Sequence, residues 1–321
     1  MRYRKKYACA LMSSLAILIC RNATSQNYPS KPVRVLTAEA GGGADFATRI
    51  VAHGLTGALG QPVIVDNRGG GVIPPEIVSR APPDGYTLLF LSGAFWQRQL
   101  LDAKTTPYNV QRDFAFVTLA LSSPNVLVIN PSVAASSVKE LIALAKGRPG
   151  GLNYGSNPSG STNHLAAELF KTMASVDVVR ITYKGAGPAL NDLVAGRVQV
   201  MFASAGSVTS HLKSGRLRAL AVTSAQPSVL FPGLPTVAAT LPGYEADVMI
   251  GLYAPAKTPA AIINRLNQDT VRVLATPEVK ERFFNAGIAT VGSSPAEHAA
   301  AVKSDMVRWE KVIKDANIQV D

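Results

Sequence analysis

Cysteine is nearly absent from this chain: Cys9 and Cys20 are its two thiols, and both fall within the first twenty of 321 residues. Nothing after them can build a disulfide scaffold or a cysteine-based metal site. Histidine is almost as scarce, with four residues at 53, 164, 211 and 298 that never stand at the spacing of a metal-ligand pair. No Gly-x-Ser-x-Gly elbow occurs, which argues against an α/β-hydrolase. Charge blocks, low-complexity stretches and, beyond Gln26, apolar runs of transmembrane length are also missing. What is present is 47% hydrophobic and 17% charged residues, a composition that buries a sizeable core and excludes disordered, collagen-like and coiled-coil chains. The length suggests about two domains.

Arg2, Arg4, Lys5 and Lys6 precede an apolar run from Tyr7 to Cys20 that is short for a bilayer span, so residues 1–25 read as a secretory signal peptide. Ala23 and Ser25 occupy the minus-three and minus-one positions for cleavage before Gln26. Residues 1–25 hold five basic and no acidic side chains, so their removal lowers the formal charge from +11 to about +6. A basic surface of that size is compatible with attracting anionic solutes.

Short β-branched or apolar runs alternate with helical patterns along the rest of the chain. Strands are expected over 32–38, 63–66, 87–91, 126–130, 178–183, 198–202 and 217–223, while Phe46, Ile50, Val51 and Leu55 carry the three- and four-residue spacing of a helix. This alternation points to α/β layers with mainly parallel sheets. Ser137 with Glu140 and Ser294 with Glu297 form two capping boxes, and Pro259, Pro277 and Pro295 each follow a Ser or Thr and suit a first helical position. From Pro259 onward three helices and one short strand, 288–291, make a tail that needs the N-terminal βα units to pack on. Two extended segments have no helix inside them: 114–130, interrupted by Ser122, Ser123 and Pro124, and 246–255. They are either the paired crossings of a hinge, joining a discontinuous first domain to an inserted second one, or ordinary sheet strands.

Two strand-turn-helix units carry the chemistry. The first runs from Ala38 through Glu39, Ala40, Gly41, Gly42, Gly43, Ala44 and Asp45 into a helix. Its glycines let the backbone approach a ligand, and the N–H groups of a helix start favour an anion. The second follows 152–155 with Ser156, Asn157, Pro158, Ser159, Gly160, Ser161, Thr162 and Asn163, whose hydroxyls and amides can donate to a carboxylate. The first loop is no dinucleotide fingerprint, because Phe46 stands where the third glycine belongs, and Gly69 to Gly71 is not a Walker loop. His164 suits a capping or packing role better than a catalytic one. An enzyme using Asp45, His164 or Glu39 is the weaker reading, and no cofactor or metal is expected.

The chain resembles the extracytoplasmic receptors of tripartite tricarboxylate transporters, the Bug-type solute-binding proteins. The resemblance runs from Tyr28 to about Asn317 and rests on Tyr28-Pro-Ser-Lys-Pro-Val-Arg34, the glycine run with Asp45, Gly60-Gln-Pro-Val-Ile-Val-Asp-Asn-Arg68, Pro83-Asp-Gly-Tyr-Thr87 and Pro124-Asn-Val-Leu-Val128. His164-Leu-Ala-Ala-Glu-Leu-Phe170, Tyr183-Lys-Gly185, Leu217-Arg-Ala-Leu-Ala-Val222 and Leu241-Pro-Gly-Tyr244 continue it.

What the resemblance implies is a periplasmic binding protein of type II-like fold: two α/β domains joined by a two-strand hinge, with the ligand in the interdomain cleft. The first domain would comprise 26–123 plus 244–321 and the second 124–243. Gly42, Gly43, Ala44 and Asp45 would form the first ligand loop, Ser156, Gly160, Ser161 and Thr162 the second, and Ser92 a third wall. The implied partners are a small organic acid and membrane permease subunits, with no nucleic acid, the receptor being a periplasmic monomer and not an enzyme. Glu39 departs from the family by placing an acid beside the anion site, which favours an amine-bearing or near-neutral solute as the alternative. Ser204, after Ala203, replaces a stronger polar anchor, and 69–75 lacks the usual Asn-Ile-Gly. A sensor that presents its closed form to a signalling protein is the other alternative.

Overall fold

The computed structural model describes residues 28–315, except 42, 70 and 158, together with residue 318. The expected signal peptide, residues 1–25, lies outside the described residues. In the first half, strand β1 (Val33–Thr37) leads to helix α1 (Gly43–Leu59), β2 (Val63–Asn67), α2 (Ile73–Ser79), β3 (Thr87–Ser92), α3 (Ala94–Leu101) and α4 (Val110–Asp113). Strand β1 pairs in parallel with β2 and β3. Val33 and Val35 enter one core layer with Ile50, Val51 and Leu55 of α1, while Leu36 enters the opposite layer, the two-residue alternation of a strand buried on both faces.

Strand β4 (Phe114–Ile129) then runs through the whole molecule. The second half continues with α5 (Val138–Gly147), β5 (Asn153–Ser156), α6 (Thr162–Ala174), β6 (Val179–Thr182), α7 (Ala186–Val194), β7 (Val200–Ser204), α8 (Ala205–Lys213) and β8 (Arg218–Val222). The chain returns through β9 (Asp247–Pro255) and closes with α9 (Ala260–Ala275), α10 (Pro277–Asn285), β10 (Ala289–Thr290) and α11 (Pro295–Asp315). The strands join in the order β2-β1-β3-β9-β4-β7-β5-β6, with β8 and β10 also on β4.

Several expectations change here. The sheet is mixed instead of mainly parallel: β9 runs antiparallel to β3 and β4, and β4 antiparallel to β7 and β8. Ser122, Ser123 and Pro124 do not interrupt β4. They pair with Met249, Val248 and Asp247, and the ladder passes from β9 to β7 at Asn125, so Pro124 sits where pairing changes partner and its missing N–H is tolerated. The tail also reaches further than the N-terminal units. Helix α9 lies on α1 and β4, but Trp309 and Val312 of α11 enter the core of the second half beside Leu165 and Tyr244. Pro259 caps α9 from outside its first turn. The Ser294–Glu297 box is reciprocal, at 3.2 and 2.8 Å, whereas the Glu140 carboxylate reaches past Ser137 to accept from Ser136 N at 2.7 Å.

Candidate ligand site

The first loop is organised by a carboxylate that does not face the cavity. Asp45 Oδ2 accepts from Gly41 N at 2.9 Å, and Oδ1 accepts from Asn67 Nδ2 at 2.9 Å and pairs with Arg49 Nε at 2.8 Å. Gly41 takes φ +82°, a conformation that costs a glycine little. The hydrogen bond from Arg49, then that from Gly41, hold the Asp45 carboxyl down at about 2 against an ordinary 3.8. Beneath the loop, Thr48 Oγ1 bonds Thr37 Oγ1, which donates to Phe90 O and ties β1 to β3.

The second loop is pinned from below by an arginine. Arg180 of β6 donates to Ser156 Oγ at 2.9 Å, Ser159 Oγ at 2.8 Å and Asn157 O at 3.1 Å. Gly160, at φ +80°, donates its N–H to His164 Nδ1 at 3.1 Å, so this histidine caps the loop through the ring nitrogen that carries no proton. Ser161 Oγ donates to Asn163 Oδ1 at 2.7 Å. A Cβ on Gly160 would collide with Leu101 of α3, which shows how closely the two halves meet here.

Between these loops lies a cavity of about 440 Å³, the size of a small-solute site. Ala38, Glu39, Ala44, Gly71 and Val72 line it from the first two βα turns, and Ser159, Gly160 and Ser161 from the second half. Leu91 and Ser92 end β3 on the same wall, and α3 adds Ala94, Arg98 and Leu101, which at i, i+4 and i+7 form one helix face, with Phe95 beside them.

The sequence therefore located part of the wall. Glu39, Ala44, Ser92, Gly160 and Ser161 come together around the cavity. Gly42 lies outside the described residues. Gly43 opens α1 and is exposed next to Ala44 without lining the cavity. Asp45, Ser156, Thr162 and Ser204 do not line it. Asp45 is spent on the loop, Ser156 is buried against Arg180, Thr162 starts α6, and the Ser204 hydroxyl turns to Ser207 at the start of α8. Glu39 sits exposed at the rim, with its Cγ 3.5 Å from the Cβ position of Gly69.

Arg98 is the main residue that the sequence reading missed. Its Nη2 approaches Asp102 Oδ2 only to 3.7 Å, and its Nε is buried without a hydrogen-bond partner among the described residues. Asp102 is instead held below the ordinary carboxylate range chiefly by the Thr105 hydroxyl and the Thr105 N–H. The signal was available in principle: a helix placed after Ser92 carries Arg98 onto the face of Ala94 and Leu101. Among the described residues no group of three His, Cys, Asp or Glu could hold a metal ion, and no helix is long and apolar enough to cross a membrane.

A cavity walled by two βα loops from opposite halves, with strands crossing between them, is the arrangement of a solute-binding protein, and comparison with known proteins agrees. Residues 47–318 match the tripartite tricarboxylate transporter family receptors, and the chain belongs to that family. Protein BugT of Bordetella pertussis is 34% identical over 307 residues, covering 94% of each chain. The solved structure of Rpa4515 from R. palustris with adipate is 34% identical with a TM-score of 0.76, covering 91% of this chain and 99% of that one. MatC from Rhodopseudomonas palustris with bound malate is 26% identical with a TM-score of 0.73, covering 89% and 100%. The fold is the two-domain, type II-like α/β fold of these periplasmic binding proteins.

Proposed function

We propose that the chain is a periplasmic receptor that encloses a small carboxylate between its first and second ligand loops and delivers it to a permease of the tripartite type. The observation that carries this reading is the shared wall: Ala38, Glu39 and Ala44, and Ser159 to Ser161, reach the same cavity from strands on either side of β4 in the sheet. Helices α1 and α6 both begin at these loops, so their N-terminal dipoles favour an anion, and Arg180 places a positive charge under Ser159. Relatives of this fold hold adipate and malate. Binding, not covalent chemistry, is the task, since closure on a ligand is a population shift driven by differential affinity.

The domains of this reading are 26–123 with 244–321, and 124–243. The change of ladder partner at Asn125 supports the first boundary, and the bonds from Ala246 N to Thr223 O and from Thr223 N to Asn125 O support the second. Residues 1–25 are the export signal, and the mature receptor is a monomer.

The test is a thermal-shift screen of the dialysed protein started at Gln26, against mono-, di- and tricarboxylates, amino acids and amines. A saturable rise in melting temperature with an acid is the expected result, because a ligand that binds only the native state stabilises it by mass action. A rise with amines and none with acids would overturn the carboxylate reading in favour of the solute class that Glu39 at the rim would attract.

A further inference from the structure

We propose that Arg98 is a second ligand anchor: it holds the distal carboxylate of a dianionic acid whose first carboxylate lies at the Ser159–Ser161 loop, with an apolar chain spanning the distance between. This rests on the carboxylate-receptor reading and narrows its substrate class. Among the described residues Arg98 is the one cationic side chain on the cavity wall. The opposite loop, Ser159 to Ser161, brings hydroxyl and amide groups but no charge of its own to the cavity.

The state of the guanidinium supports the assignment. Among the described residues its one ion-pair partner, Asp102, stands 3.7 Å away and is already engaged by Thr105, while its Nε is buried with no acceptor. A guanidinium keeps its charge at any physiological pH, so Arg98 presents a permanent cation to the cavity. Nε is closed off from the cavity, so a ligand carboxylate would accept from the two Nη groups at the open end of the guanidinium, the two-pronged geometry that arginine suits and lysine does not.

The space between the two ends is apolar. Val72, Leu91, Phe95 and Leu101 supply it, and methylene groups packed there leave water without losing hydrogen bonds. Glu39 at the rim adds a negative charge that opposes a third acid group, so the selection is for diacids over tricarboxylates.

The test titrates dialysed wild type and Arg98→Gln with succinate, glutarate and adipate, and with the monoacids of equal length, butyrate, pentanoate and hexanoate, by isothermal calorimetry. Wild type should prefer the best-fitting diacid over its monoacid. Arg98→Gln should lose about ten- to a hundredfold for that diacid, as for a charge-assisted hydrogen bond, and change little for the monoacid. Arg98→Lys should restore part of the difference, because it returns the charge without the fork. The unliganded melting temperature of each variant, unchanged within error, establishes that the fold is intact. Equal losses for diacid and monoacid, or no loss for either, overturn the Arg98 assignment and leave the receptor reading standing. Wild type that binds none of the three diacids also overturns it, whereas failure of every acid in the thermal screen overturns the receptor reading itself.

Discussion

Asp45 is committed to three partners at once, which makes it the residue whose removal tests the first loop. Its depressed carboxyl contributes stability that is fully present above the ordinary value of 3.8 and is lost as pH falls toward about 2. Asp45→Asn should therefore cost about 1–2 kcal/mol at pH 7, discounted for screening because its partner Arg49 is largely exposed, with the difference from wild type shrinking below pH 4. Urea unfolding at pH 7, 4 and 3 measures this, and a pH-independent difference would contradict it. The sequence put Asp45 in the loop but did not show what holds it there, because one of its partners, Asn67, arrives only through the pairing of β1 with β2. Arg49, one helical turn on, was within reach of local reasoning. Arg98 escaped for a related reason: nothing in its own neighbourhood distinguishes it from a solvated surface arginine until α3 is set against the cavity.

At the scale of elements, α3 is held from behind. While its cavity face carries Arg98, Trp96 on another face is fully buried and donates from Nε1 to Asp305 Oδ2 of α11 at 2.6 Å. Asp305 also receives Arg308 at 2.5 Å, and Arg308 in turn pairs with Glu245 just before β9. Trp96→Phe would leave a buried carboxylate short of a donor and open space in the core. We expect a loss of about 2–4 kcal/mol in urea unfolding and weaker acid binding as the wall tilts. Unchanged acid affinity in a destabilised variant would mean that α3 is positioned by other contacts. Strands were legible at this scale because apolar runs buried on both faces leave a plain signature, as in Leu88 to Leu91. The mixed direction of the sheet was not, since strand direction depends on how the chain returns from the inserted half, and no local pattern records that.

For the molecule as a whole, the two halves share β4 and meet again around Asp247, where Ser122, Thr223 and the nearby charges of Glu245 and Arg308 converge. Burial first, and then Glu245, push the Asp247 carboxyl up to about 6. An acid raised in the folded state has the opposite sign from Asp45: the unfolded chain ionises first, so stability falls as pH rises from 3.8 to about 6 and is level above that. Asp247→Asn should remove this loss, raising stability by about 1–2 kcal/mol at pH 7 and by almost nothing at pH 4. Melting curves at the two pH values decide it, and equal gains at both would place the effect elsewhere. The same crossing has a further consequence, in the order in which the chain can fold. Strand β9 sits between β3 and β4 in the sheet, yet it follows them by more than a hundred residues of sequence. Until residues 247–255 are available, β3 and β4 each face an unfilled place, and the first half has no finished sheet to fold onto. Such long-range pairing is slow to form. A chain emerging from its amino end thus stays incomplete until its final quarter appears, and a chain cut short before Asp247 would present two open strand edges and be prone to aggregate.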